Sequence, residues 1–457
     1  LEVPVVLKPS AITEKILSIA KKQNCNVQVT VIEADSKYVC LRKGEIEQLV
    51  SSLAISTGVR LFKENRSIII SFSGDINTKD LEAKIEKSIN DMIYLGKDKA
   101  KILLDKDQFS KGKLTPLQLD DKNFDNIRIP EVAQKLEKIE KQGLAVSDKI
   151  IPSEMAEFYG QRNKINITTS QGLSNSYSTS NYSFYYNAVA ESKGQKEVEY
   201  WYEKNRSLDT LHFKGSIEGI GREAAERALR KLGGQKITSG DKAVVFSSRT
   251  ASSLLRLLFY AVKGEDVLLK NSFLVDKLGK TIFSKNITII DNPLIPKSQG
   301  SYPFDGEGRC GQEKRVVDKG KLLTYLHNSY SAQRLNMALT GNASTTISVA
   351  PGITCGNFYL MPGMGTQEDL IKEMKNGLLV ESIFLSGMNN VTGDFSFGCS
   401  GFLIKNGRVT QPVKEITIAG NFLDLFNKVV QIADDDEHKT AVSSPAFLVS
   451  SLNIAGK

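Results

Sequence analysis

Residues 176–190 read Ser-Tyr-Ser-Thr-Ser-Asn-Tyr-Ser-Phe-Tyr-Tyr-Asn-Ala-Val-Ala, and this stretch decides the fold class. Aromatic and β-branched residues favour a pleated strand. The Ser, Thr and Asn between them suit a strand with one wet face, which parallel sheets do not offer, so the sheet is antiparallel. Lys164–Thr169 upstream and Val198–Glu203 downstream have the same character. A helical pattern over Val132–Gly143 leads into these strands. A second helix follows from about Gly221 to Leu232, with Ala224, Ala225, Ala228, Leu229 and Leu232 on its buried side and Gly233-Gly234 as its stop. Together they outline a middle domain over 106–235.

On either side the pattern changes. Residues 1–105 read as an N-terminal α/β domain. A helix is expected over Ile12–Gln23, strands over Val27–Ala34, Lys37–Lys43, Gly58–Phe62 and Ser67–Ser73, and a second helix over Asp80–Leu95. The polar stretch from about 105 to 130, with Pro116 and Pro130, is expected to be a linker. Residues 236–457 hold short strands between glycine turns, at Ala243–Phe246, Ile287–Ile290, Leu322–Tyr325, Gly401–Lys405, Glu415–Ile418 and Phe447–Leu452, with helices at Thr250–Val262 and Phe422–Val430. The expected fold is therefore α+β: an N-terminal α/β domain, a middle domain of polar antiparallel strands with a helix, and a large β-rich C-terminal domain.

Composition excludes several functions. A chain of 457 residues with 40% hydrophobic and 25% charged residues can bury substantial cores without staples. The net charge of +8 is spread out: between Lys97 and Lys113, lysines alternate with Asp98, Asp105 and Asp107. A nucleic-acid binder needs a one-sided basic face, and none is visible. The five cysteines, Cys25, Cys40, Cys310, Cys355 and Cys399, have no CxxC spacing and suit reduced thiols. The most apolar run, Leu254–Val262, contains Arg256 and is too short to span a bilayer. No signal peptide is recognisable, and a cytoplasmic location is expected. Leu1 stands where a Met would begin a natural chain, so the natural start is expected to differ.

The chemical motifs are mostly decoys. Gly306-Glu307-Gly308-Arg309-Cys310-Gly311 satisfies GxGxxG, but a strand–turn–strand pattern follows where a phosphate-binding helix is needed. Gly398-Cys399-Ser400-Gly401 falls short of a nucleophile elbow. His212, His327 and His438 are the only histidines and show no paired-ligand spacing, although a site assembled from distant histidines stays open. Asp434-Asp435-Asp436-Glu437 lacks the alternation and glycine of a calcium loop.

A set of glycine-punctuated segments carries more: Pro303–Gly308, Ser331–Leu335, Thr340–Asn342, Gly356-Asn357, Met361–Gly363 and Asn390–Gly398. In this order they resemble the TldD/TldE (PmbA) family over nearly the whole chain, most strongly from Gly221 to Pro445. The catalytic members of that family carry HExxxH on the middle-domain helix and a cysteine ligand near the C-terminus. The matching stretch here is Ile217-Glu218-Gly219-Ile220-Gly221-Arg222, and no cysteine lies among residues 400–457. Ile217 has no lone pair for a metal and Arg222 is a permanent cation. Glu218 would have no metal-bound water to activate; a local ion pair with Arg222 is expected instead.

The resemblance thus implies a non-catalytic TldE/PmbA-type chain that binds no cofactor and joins a zinc-carrying TldD-like partner in a heterodimeric metallopeptidase, or forms a homodimer alone. It implies an extended peptide substrate, with Asp305, Glu307, Asn342 and Asn357 as candidate groove residues, and no nucleic acid or membrane partner. Two other functions stay open: a regulator without peptidase activity, since related proteins are labelled modulators of DNA gyrase, and an autonomous homodimeric peptidase.

Overall fold

The computed structural model describes residues 9–74, 78–109, 115–152, 155–384, 387–435 and 440–457. Its first part is α1 (Pro9–Lys22), β1 (Asn26–Arg42), β2 (Glu45–Lys63), β3 (Arg66–Ser73) and α2 (Thr78–Asp91). The two strands expected before Lys43 are one. Asp35 and Ser36, polar enough to suggest a break, are held on both sides, opposite Leu53 and Ser52 of β2 and Arg162 and Gln161 of the next partner strand.

That partner belongs to the middle region: α3 (Ile129–Leu144), β4 (Ile150–Ile151), β5 (Ala156–Thr169), β6 (Ser174–Ser192), β7 (Gln195–Asn205) and α4 (Gly219–Lys231). β1 pairs antiparallel with β5, so one sheet runs β3-β2-β1-β5-β6, with β4 and β7 both bonded to β6. The division expected near residue 105 therefore falls inside a continuous sheet. It separates two helical covers.

The period-two alternation of strands explains how the sheet is covered. Val27, Val29 and Val31 of β1 pack in the cluster under α1 and α2, while Val39 and Leu41 of the same parity join Tyr182, Phe184 and Tyr186 of β6 under α3 and α4. The opposite face, with Ile32, Ile165, Ile167 and Tyr177, meets Phe304 of the last domain. The expected wet face is thus dry along part of its length. The expected linker is likewise anchored, since Phe109, Leu117, Leu119 and Phe124 are buried.

The last domain begins with β8 (Gly240–Phe246), α5 (Ser248–Ala261) and α6 (Gly264–Leu268). β9 (Ile289–Asn292), β10 (Lys314–Asp318), β11 (Lys321–Leu322), α7 (Ser329–Leu335) and β12 (Asn357–Leu360) follow. It ends with α8 (Gln367–Met374), β13 (Gly377–Phe384), β14 (Asp394–Lys405), β15 (Arg408–Asn421), α9 (Phe422–Asn427), β16 (Val429–Ile432), β17 (Val442–Ser443) and β18 (Phe447–Ala455). One sheet runs β11-β10-β9-β12-β17. The other, β15-β14-β13-β8-β18-β16, closes on itself because Thr417–Ala419 of β15 also pairs with β18. The ring leaves β16 outside, bonded to β18, and the largest apolar cluster lies here, including Phe246, Phe397, Phe422, Phe426 and Phe447. The fold is α+β. Among the described residues no helix is long and apolar enough to cross a membrane.

Candidate functional site

Residues 217–222 lie where the chain turns into α4. Phe213 and Ser216 exchange backbone hydrogen bonds, and the Gly219 N–H donates to Ser216 Oγ at 3.2 Å. Ile217 and Glu218 therefore precede the helix, and Arg222 lies in its first turn. The predicted helix and its Ala224, Ala225 and Ala228 face are present, starting two residues earlier than expected.

α4 crosses α3 at very short range. A Cβ placed on Gly221 would lie 1.9 Å from the Ile139 carbonyl oxygen, so only glycine allows this approach. The crossing leaves a cleft of about 570 Å³ between the two helices, lined by Lys138, Lys141, Lys214, Glu218, Arg222 and Glu223 among others. Ile217 is half-buried and packs on the apolar cluster beneath. Arg222 is exposed and donates to Gln142 Oε1 at 3.2 Å. It makes no ion pair with Glu218, contrary to expectation, because Gln142 of α3 stands within its reach. A hydrocarbon and a guanidinium flanking one carboxylate do not fit a zinc ion, which takes neutral imidazole, thiolate or carboxylate ligands. Among the described residues no three His, Cys, Asp or Glu side chains come together as a metal site. His212 is exposed, His327 is buried in the last domain, and His438 lies outside the described residues.

The other face of α4 holds a charged cluster that sequence reasoning missed. Glu199 of β7 is buried and pairs with Lys231 of α4, with Arg249 of α5 at 3.2 Å and with Arg227 at 3.7 Å. Arg227 and Arg230 also reach Glu381 of β13, both at 3.3 Å. Burial alone would raise the Glu199 carboxyl, but Lys231, Arg249 and Arg227 together hold it down to about 2. This cluster fixes α4 against the last domain. Its members are scattered from residue 199 to residue 381, so no local spacing announces them.

The four candidate groove residues are all buried. Asp305 accepts backbone N–H bonds from Glu307, Arg309 and Ala343, each at 3.0 Å, and so ties its own turn to the 343 segment. Burial, and then the neighbouring Glu307 carboxylate, push Asp305 above the usual carboxylate range. Asn342 donates to Asp291 Oδ2 at 2.8 Å and to the Thr354 carbonyl at 2.9 Å, and Asp291 pairs with Lys314 at 3.1 Å. Asn357 bridges Ser298, Gly300, Asn292 and Ser301. These three brace loops against one another. Glu307 lines a small cavity. The GxGxxG segment is a turn, bridged from Phe304 to Cys310 and followed by β10. All five cysteines are free.

Comparison with known proteins agrees with this architecture. Two family profiles match: the PmbA/TldA metallopeptidase central domain over residues 122–232, and the PmbA/TldA metallopeptidase C-terminal domain over residues 239–456. The chain is 29% identical to a metalloprotease PmbA homolog of Haemophilus influenzae, over 96% of this chain and 94% of that protein. It is 30% identical to a PmbA homolog of Buchnera aphidicola, over 71% of each. A crystal structure from Bacteroides thetaiotaomicron, described as a proposed modulator of DNA gyrase, superposes with a TM-score of 0.90 at 28% identity, covering 98% of this chain and 99% of that one.

Proposed function

The chain belongs to the PmbA/TldD metallopeptidase family, and on that footing we propose that it is the non-catalytic member of a cytoplasmic two-chain peptidase. A TldD-like partner supplies zinc, water and base. This chain supplies one wall of the chamber, in which small unfolded peptides are processed or degraded. The observation that supports the reading is the turn into α4. There Ile217 is packed on the apolar cluster and Arg222 bonds Gln142, so neither residue flanking Glu218 in the motif offers a metal ligand. Five free cysteines are in keeping with a reducing compartment.

The deciding experiment mixes this chain with a TldD-like chain at micromolar concentration. Light scattering should detect a mixed dimer, and peptide cleavage should rise well above that of either chain alone. If no mixed species forms and the TldD-like chain cuts peptides equally well by itself, the subunit role is wrong. Purified alone, the chain should hold no stoichiometric zinc. One zinc per chain that survives mild chelation would point instead to an autonomous peptidase.

The description of the Bacteroides neighbour favours a second reading, a regulator that contacts DNA gyrase. Pull-down with purified gyrase, set against pull-down with a TldD-like chain, separates the two.

A further inference from the structure

A second cavity, of about 200 Å³, lies between the first sheet and the last domain. Segments far apart in sequence converge on it: Arg60 of β2, Lys101, Glu265 of α6, Glu307, Asn328 and the loop at Ala350. Its charged groups are incompletely paired. The Arg60 guanidinium is largely buried, yet its three hydrogen bonds are 3.4 Å to Gln28 Oε1 and 3.4 and 3.5 Å to Glu307 Oε1. Charge-assisted bonds are normally much shorter, and a guanidinium has five donors to satisfy. Glu307 cannot come closer because its oxygens already accept the Ser329 hydroxyl at 2.6 Å and the Ser329 N–H at 2.8 Å. Burial draws Arg60 below its ordinary pKa, outweighing Glu307 and Asp305.

On another wall stands Glu265. Its Oε1 accepts from Asn328 Nδ2 at 2.6 Å, and Asn328 is itself fixed by the Pro351 carbonyl at 2.7 Å. Oε2 has no hydrogen bond among the described residues, and a Cβ added at Gly352 would meet it at 3.7 Å, an ordinary van der Waals contact. The cavity therefore presents a buried cation with spare donors and a fixed carboxylate with a spare oxygen. It has room for roughly six water-sized groups.

We propose that this cavity binds a small zwitterion, a free α-amino acid, whose carboxylate goes to Arg60 and whose ammonium goes to Glu265. A carboxylate would give Arg60 the short bonds that Glu307 cannot, and the ammonium would neutralise Glu265. The size suits alanine or serine. The proposal does not rest on the peptidase reading.

Isothermal titration of the full chain with L-alanine tests it, with acetate and methylammonium as single-charge controls. L-Alanine should bind saturably, and each control should bind at least about tenfold more weakly, since each forfeits one charge-assisted contact. Glu265→Gln keeps an acceptor for Asn328 while removing the charge. Ala350→Trp places bulk at an exposed position on the cavity's rim. Both variants should melt like the parent and lose L-alanine binding by about tenfold or more. Absence of saturable binding to the parent, equal binding of acetate, or full binding retained by both variants would overturn the proposal.

Discussion

His327 is a residue whose behaviour follows from burial alone. It is almost fully buried, its Nδ1 meets Ser331 Oγ at 3.1 Å, and its Nε2 has no hydrogen-bond partner among the described residues. Desolvation lowers its pKa to about 4 from an ordinary 6.5. The folded chain thus keeps His327 neutral where the unfolded chain protonates it. Its contribution is fully present above pH 6.5 and is lost as pH falls toward 4, by up to about 3 kcal/mol. Asp305, pushed upward, works in the opposite sense, since a raised carboxyl favours the folded state less as pH rises. The His327 term must therefore be read from the difference between parent and His327→Asn. Denaturant titrations from pH 4 to 7 should show a shallower acid-side loss in the variant, and identical slopes would disprove the assignment. Glu218 supports a second expectation. Because Ile217 and Arg222 offer no lone pair to hold a metal beside it, Glu218→Gln should leave cleavage by the mixed dimer within about twofold of the parent. A loss of orders of magnitude with assembly intact would show that this chain contributes chemistry. The identity of residues 217–222 was legible in the sequence. The Arg222–Gln142 bond was not, because it depends on how α3 and α4 cross.

At the scale of elements, the long periodic segments were legible and the junctions between them less so. α1, α3, α4 and α5 fall where apolar spacing placed them, because each buries a single stripe. β1 was split in two, and residues 45–57 of β2 were missed. Exposed Ile46, Leu49, Val50 and Leu53 mix with Ser and Gln there, so no alternation shows. Parity within β1 and β6 also hid a second packed face, which only the last domain creates. The α3–α4 crossing yields a sharp expectation. Gly221→Ala would drive a methyl into the Ile139 carbonyl and against the Gly143 amide, both backbone atoms of α3 that cannot rotate away. The variant should be destabilised by about 3 kcal/mol, at the upper end for overpacking. A chemical-denaturation midpoint unchanged at constant slope would mean that the helices part freely. The same crossing bears on restoring HExxxH. Position 217 precedes the helix while 222 lies in its first turn, so Ile217→His with Arg222→His sets two imidazoles at the helix entrance without the cysteine ligand that the resemblance implies for a catalytic site. Zinc binding should be weak and lost to chelators, with no peptide hydrolysis above the parent. Efficient zinc-dependent cleavage by this variant alone would contradict that.

At the scale of the whole molecule, two apolar bodies are joined through the packing of Ile32, Ile165, Ile167 and Tyr177 on Phe304 and, on the other side, through charge. The sheet shared by the first two regions and the closed sheet of the last domain each have their own cluster, and between them Glu199 gathers Lys231, Arg249 and Arg227. Arg249 also lies over the Tyr200 ring at 4.1 Å, and Arg227 lies over the Trp201 ring at 5.2 Å. Lys231, Arg249 and Arg227 would repel one another if Glu199 were lost, although Arg227 would keep Glu381, so the tie depends on Glu199 more than on any single partner. Removing one member of a buried ion pair costs about 3–5 kcal/mol, because the remaining charge stays desolvated and unpaired. Glu199→Gln should fall in that range, whereas Glu199→Gln combined with Lys231→Met should be less destabilised than the two single variants summed. Acid acts through the same group. Glu199 is held near 2 against an ordinary 4.5, so its contribution is present above pH 4.5 and is lost as pH falls toward 2, below the window in which His327 acts. Loosening this tie should free the first two regions to move against the last domain before either core melts. Limited proteolysis of Glu199→Gln at neutral pH should then cut between residues 232 and 240, where α4 passes into β8, while the parent resists. Equal resistance of parent and variant at that junction, with the denaturation midpoint unchanged, would show that apolar packing alone holds the two bodies together.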